Sequence, residues 1–314
     1  MKHQSDSDKK SSPEIFVKFN LLCIFLFMAF TSHTQNLPKV TFGKVERLEN
    51  LTSKFVGARH VDVWVPDGYS VNQKYSVVYM HDGQMLLDST QTWNKKEWHV
   101  DEVFPKLMKE KKIKPCLVVA IWNTPERITD YFPGRIYEGL EPAIQKMISD
   151  KYGNGKPANG DNYLKFIVEE LKPYIDSHFS TLTGKENTVI MGSSMGGLIS
   201  MYAIAEYPEI FGGAASISTA WFSFLKPGYA IPEAAIHYLA KNMPASEGHK
   251  IYFDYGTGES DKAYELTQSF IDLVAKGKGY TEVNYKSMVF EKAVHDENAW
   301  SRRLDIPLQF LLNP

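Results

Sequence analysis

The stretch NTVIMGSSMGGLISMYAIAEYPE, residues 187–209, decides the fold. It opens as a short apolar run with β-branched members and closes as a longer apolar stretch with the composition of a helix. Between the two stand Gly192, Ser193, Ser194, Met195, Gly196 and Gly197. A strand that passes straight into a helix leaves room only for a tight turn, so the residues two before and two after its apex must lack bulk. Gly192 and Gly196 meet that need, and Gly197 lets the helix approach the sheet. Such a turn aims the Ser194 hydroxyl outward at a helix N-terminus, where positive partial charge favours a developing anion.

The same alternation extends outward in both directions. Continuous apolar runs occur at SVVYM (76–80), CLVVAIW (116–122), GGAASIS (212–218), KIYFDYG (250–256) and YKSMVF (285–290). Strands of this kind are buried on both faces, as in a parallel sheet. Helical stretches are expected at 162–178, 198–206, 262–276 and 297–304. His60 to Val65 alternates polar and apolar, which predicts a half-exposed antiparallel strand. The class is therefore α/β, with a mostly parallel central sheet and helices on both faces. No repeat and no Pro/Gly/Ser-rich linker divides residues 36–314, so a single catalytic domain is expected, with 224–249 as a possible small cap insertion.

Composition narrows the function classes. The 314 residues are 43% hydrophobic and 23% charged, with a formal net charge of −2. These are the proportions of a globular protein, and without a basic stripe no nucleic-acid partner is expected. Two cysteines cannot build a disulfide framework. Leu21 to Phe30 is ten residues of unbroken apolar character, half of what a spanning helix needs. With small Thr31 and Ser32 behind it, it reads as the core of a signal peptide within residues 1–35, and the expected location is secreted or periplasmic. An N-terminal membrane anchor is the alternative. No stable membrane span is expected in the mature form.

A serine hydroxyl needs a base, and the base needs an orienting acid, expected in the chain order Ser, acid, His. Of nine histidines, His295 is the one that follows the last strand run, in FEKAVHDENAW. The acid should follow the penultimate run, where GTGESD offers Asp261, the favoured choice, and Glu259 as the alternative. Asp254 still lies within the strand. Two backbone N–H groups must meet the anionic oxygen: that of Met195, and that of Gln84 in the loop HDGQ, where Gly83 permits a turn. His81 and Asp82 lack the spacing of a metal site and are expected to hold the loop by hydrogen bonds. Neither a metal nor any cofactor is expected.

VVYMHDGQMLLD, VVAIWNTPERITDYFP, YLKFIVEELKPYID, MGSSMGGLISMYAIAEYPEIFGG, YFDYGTGESD and HDENAWSRRLDIPLQFLL together resemble the putative-esterase family of α/β-hydrolases, over roughly Val45 to Leu312. That family includes enterochelin-type siderophore esterases, feruloyl and acetyl-xylan esterases, and S-formylglutathione hydrolases. The resemblance implies the α/β-hydrolase fold and a cofactor-free serine carboxylic-ester hydrolase working through an acyl-enzyme. It supports Ser194, His295, Met195 and Gln84 in the roles above, and an acid at Asp261. The expected substrate is a small-molecule or oligosaccharide ester, with a carbohydrate-linked acetyl or feruloyl ester preferred and a siderophore ester as the alternative. Trp122, Arg127, Trp221 and Trp300 are candidates for the rim of the site, and Arg127 could instead pair with Asp130. From another class, a catalytically silent hydrolase fold used for binding would keep the fold without the turnover. Oligomeric state is not legible.

Overall fold

Alternate residues of the central strands are buried in two separate layers. Val77, Tyr79, Leu117, Val119 and Ile190 belong to one apolar cluster, while Val78, Met80, Val118, Val189 and Met191 belong to the other. A strand can alternate between two cores only if helices cover both faces of its sheet. The computed structural model describes residues 36–221, 228–258 and 261–314, and Leu37–Pro314 is one compact unit. The apolar run Leu21 to Phe30, like Glu259, lies outside the described residues.

The eight strands are β1 (Lys44–Leu51), β2 (Arg59–Val65), β3 (Ser76–His81), β4 (Cys116–Ile121), β5 (Thr188–Ser193), β6 (Gly213–Ile217), β7 (Lys250–Gly256) and β8 (Tyr285–Phe290). They form one sheet in the order β1-β2-β4-β3-β5-β6-β7-β8. The β1–β2 and β2–β4 pairs are antiparallel and all others parallel. Parallel pairing brings the carboxyl ends of β3, β5, β6, β7 and β8 to one side, and that is where loops can converge on a site.

The helices are α1 (Val100–Lys109), α2 (Arg127–Asp130), α3 (Gly134–Glu138), α4 (Pro142–Tyr152), α5 (Gly160–Lys165) and α6 (Lys172–His178). A π-wound segment, Phe166–Leu171, joins α5 to α6 without a break, so the expected helix 162–178 is one rod with a widened middle. Then come α7 (Met195–Glu206), α8 (Ala230–Asn242), α9 (Glu265–Gly277), α10 (Glu297–Ser301) and α11 (Asp305–Leu311). α7 is buried all round from Met195 to Ala205, because it lies against β5 and β6 in the middle of one face. α9 buries one stripe, Thr267, Gln268, Ile271 and Ala275, at the spacing of an outer helix.

Three expectations need correction or location. β8, expected to be buried on both faces, is the far edge of the sheet, so none of its residues is fully buried. β2 is mostly buried rather than half-exposed, since β1 covers its outer edge and Asp62 turns into an ion pair with Arg47 at 2.6 Å. β1 itself is not apparent in the sequence, because KVERLENL is a charged edge strand with a register shift between Leu48 and Leu51. Within 224–249, α8 lies in the connection from β6 to β7 and packs on α9 and α3.

Candidate active site

Ser194 follows β5 with φ 57° and ψ −121°, a backbone conformation that costs energy for any side chain bearing a Cβ. Its surroundings hold it there. The Ser194 N–H donates to the Ile217 carbonyl at 2.9 Å, and its own carbonyl accepts from the N–H groups of Leu198 and Ala220, both at 3.1 Å. The flanking glycines are required by close approach. A Cβ on Gly192 would stand 2.9 Å from the Gly196 carbonyl carbon and 3.0 Å from the His81 ring, and one on Gly196 would stand 3.2 Å from the His81 Cβ.

His295 sits in the loop after β8, and its Nδ1 is 2.6 Å from Asp261 Oδ1. Asp261 opens a 3-10 turn after β7 and is 0% exposed. An ionised carboxylate only accepts, so Nδ1 carries the proton and Nε2 is left as the basic nitrogen. The second oxygen, Oδ2, accepts from the Ser218 hydroxyl at 2.6 Å and from the Gly256 N–H at 3.2 Å. Ser218 in turn accepts from the Trp300 indole N–H and from Arg303 Nη2, both at 3.0 Å. Two donors that cannot accept occupy the lone pairs of Ser218, so its single proton must point at Asp261. Trp300 also meets the His295 ring edge to face, with centroids 5.0 Å apart.

Behind this arm lies a part of the site that sequence reasoning missed. Asp254 in β7 pairs with Arg303 through Nη2 at 2.9 Å and Nε at 3.2 Å, and accepts the Tyr252 hydroxyl at 2.9 Å. Burial raises the Asp254 pKa above the ordinary carboxylate value, outweighing the opposing pull of Arg303. Ser218 and Arg303 are 85 residues apart and Ser218 and Asp261 are 43 apart, so no local pattern announces the network. The one available signal was Asp254 itself, a carboxylate inside an apolar strand, which must find a partner.

Gln84 lies in the 3-10 turn Gly83–Met85 after β3, and Met195 is the first residue of α7. N–H groups in a first helical turn lack an intrahelical acceptor, so both are available to an oxyanion. The positive φ of this turn falls on Asp82, at 57°, and not on Gly83. Gly83 is needed for closeness instead: a Cβ there would meet the Ala120 carbonyl at 2.5 Å. The loop after β4 fastens the turn. Arg127 grips Asp82 with Nε on Oδ1 and Nη2 on Oδ2, each at 2.7 Å, and Asn123 donates to Oδ1 at 2.6 Å. The Asn123 N–H reaches Gln84 Oε1 at 3.1 Å. Burial pushes the Asp82 pKa up, but Arg127 and Asn123 prevail and hold it below the usual value. His81, whose Nδ1 is 2.9 Å from the Tyr163 hydroxyl, is lowered to about 3, chiefly by burial and against the pull of Asp82.

The four candidates for the rim are each engaged by other side chains. Arg127 is committed to Asp82, and Asp130 pairs with Arg59 at 2.8 Å instead. Trp221 and Trp300 are 1% and 5% exposed, so they pack the interior: large rings gain most by leaving water. Trp122 gives its indole N–H to Asp62 at 2.9 Å, and the Arg47 guanidinium lies 4.6 Å above its ring, at the antiparallel edge of the sheet.

Residues 52–311 match the family described as "Putative esterase". The uncharacterised protein YbbA of Bacillus subtilis is 23% identical over 269 residues, covering 83% of this chain and 96% of its own length. An endo-1,4-beta-xylanase/feruloyl esterase of Xylanibacter ruminicola is 23% identical over 283 residues, 87% of this chain but 32% of that longer protein. The crystal structure of the enterobactin esterase of Shigella flexneri shares the fold, with a TM-score of 0.61 at 17% identity, over 87% of this chain and 60% of that one. The chain belongs to the putative-esterase family and is a carboxylic ester hydrolase with the α/β-hydrolase fold.

Proposed function

We propose that Ser194, His295 and Asp261 are the catalytic residues of this esterase, and that the N–H groups of Gln84 and Met195 bind the oxyanion. The observation that carries the reading is the 2.6 Å contact of a fully buried Asp261 with His295. It is joined through Ser218 to the backbone segment 217–220, which also holds the strained Ser194. His295 Nε2 takes the Ser194 proton as Oγ attacks the ester carbonyl carbon, and the carbonyl electrons become the oxyanion. Collapse of that intermediate expels the alcohol, which receives the proton from His295. Water then gives its proton to His295 and attacks the acyl-enzyme, and Ser194 leaves as a restored hydroxyl with the free acid.

The substrate proposed is a carbohydrate-linked ester of the acetyl or feruloyl type, met outside the cytoplasm. The feruloyl esterase named among the relatives supports the acyl class, and the apolar run Leu21 to Phe30 supports export. No helix among the described residues is long and apolar enough to cross a membrane. A siderophore ester of the enterobactin type is the rival substrate, after the name of the Shigella flexneri neighbour. The test compares kcat/KM for feruloylated and acetylated xylo-oligosaccharides with that for enterobactin. A preference of about a hundredfold or more for the sugar esters is expected, and the reverse preference would transfer the chain to the siderophore class.

A further inference from the structure

Ser218 follows the last residue of β6, is 0% exposed and has φ 43°. That left-handed conformation suits glycine and is unfavourable for a residue with a Cβ. Backbone preference therefore does not explain a serine at this place. Its N–H donates to the Asp254 carbonyl at 2.8 Å, a bond that any residue but proline could make. What its side chain alone supplies is a hydroxyl.

That hydroxyl has one direction left to it. Trp300 Nε1 and Arg303 Nη2 both donate to Oγ at 3.0 Å, and Asp261 Oδ2 accepts its proton at 2.6 Å. Arg303 is itself held by Asp254, so a buried cation stands behind the donor and polarises it. The other carboxylate oxygen, Oδ1, faces His295 Nδ1. Without Ser218, Oδ2 would keep only the Gly256 N–H at 3.2 Å. The terminal torsion of an aspartate is broad, so one long bond would leave Oδ1 loosely aimed. Trp300, whose N–H ends on Ser218, is also the ring that stands edge to face against His295. Ser218 thus touches both groups that orient the base.

The backbone around it reaches the other arm. The Ile217 carbonyl, one residue earlier, accepts the Ser194 N–H at 2.9 Å, and the Ala220 N–H, two residues later, donates to the Ser194 carbonyl at 3.1 Å. One turn therefore holds the nucleophile by its main chain and the acid by its side chain.

We propose that Ser218 is a positioning residue for the esterase reaction: its hydroxyl locks the Asp261 carboxylate with Oδ1 on His295, in register with Ser194. This rests on the reading above of Ser194, His295 and Asp261 as the catalytic residues. Ser218 acts through Asp261, so its effect should exist only while Asp261 is a carboxylate.

The experiment is a double-mutant cycle, with kcat and KM measured for p-nitrophenyl acetate in the wild type, Ser218→Ala, Asp261→Asn and the double variant. Ser218→Ala should lower kcat about ten- to hundredfold, the range for a hydrogen bond to a charged group, with KM unchanged. In the Asp261→Asn background the same substitution should change kcat by less than about twofold. Ser218→Gly also removes the hydroxyl and relieves the backbone, so it takes the place of Ser218→Ala should that variant not fold. An unchanged kcat in the single variant would overturn the proposal. So would an equal loss in both backgrounds, which would mean that Ser218 serves packing alone. If Asp261→Asn itself costs less than about tenfold, the acid assignment fails and Ser218 falls with it.

Discussion

The two arms of the proposed active site are built by different means. The nucleophile arm is a steric object: Ser194 is held by its own strand, its own helix and two glycines within two residues of it. The acid–base arm is a polar object. Asp261, Ser218, Arg303, Trp300 and Asp254 come from four separate stretches of chain and are joined by side-chain hydrogen bonds in the interior. A steric turn tolerates little variation at its glycines and is written locally. A buried network is satisfied only as a whole, since removing one member strands the others away from water.

The contrast has measurable consequences, the largest of them on turnover. Asp261→Asn keeps the shape of the side chain but offers His295 an amide in place of a carboxylate. It should lower kcat by about 10⁴-fold with little change in KM, as wrong-tautomer substitutions do. A loss below about tenfold would make the acid dispensable and leave a Ser–His pair. Next is a stability effect. Arg303→Met removes the cation from a fully buried Asp254, so the variant should lose about 3–5 kcal/mol in denaturant unfolding. A loss under about 1 kcal/mol would mean that the arm is held by packing alone.

A third effect, small near neutral pH and growing with acid, separates the arms by pH. The buried His81 beside the elbow is lowered from 6.5 to about 3, mainly by burial. Between those values the unfolded chain binds a proton that the folded chain does not. Stability from this group is therefore complete above about pH 6.5 and falls as the pH drops toward 3, with a slope of about 1.4 kcal/mol per pH unit. His81→Gln should remove that slope from the difference between wild type and variant. Parallel acid-unfolding curves for the two would show that His81 already takes up its proton in the folded protein.

What could be read in the sequence divides along the same line. β3 to β7 were legible because a strand buried on both faces must be apolar throughout, and the turn at Ser194 because its glycines stand close to it in the chain; β8 was found as an apolar run although, at the edge of the sheet, none of its residues is fully buried. Ser194 and Met195 were proposed from the glycine-flanked turn, and His295, Gln84 and an acid at Asp261 or Glu259 from the order of the strands they follow. The edge strand β1 was not legible, since its charged residues face solvent and its place is set by β2. Ser218, Arg303 and Asp254 escaped because their meaning depends on partners 36 to 85 residues away. Aromatic residues misled in both directions: Trp221 and Trp300 are interior, while Trp93, with no motif around it, is the exposed one.

The most direct test is chemical. Folded wild-type protein treated with a fluorophosphonate and digested for peptide mass spectrometry should carry a single adduct on Ser194. The adduct should be absent from Ser194→Ala, and its rate of formation should fall sharply in His295→Ala. An adduct on another serine, or a folded protein that takes none, would contradict the assignment of Ser194 as the nucleophile.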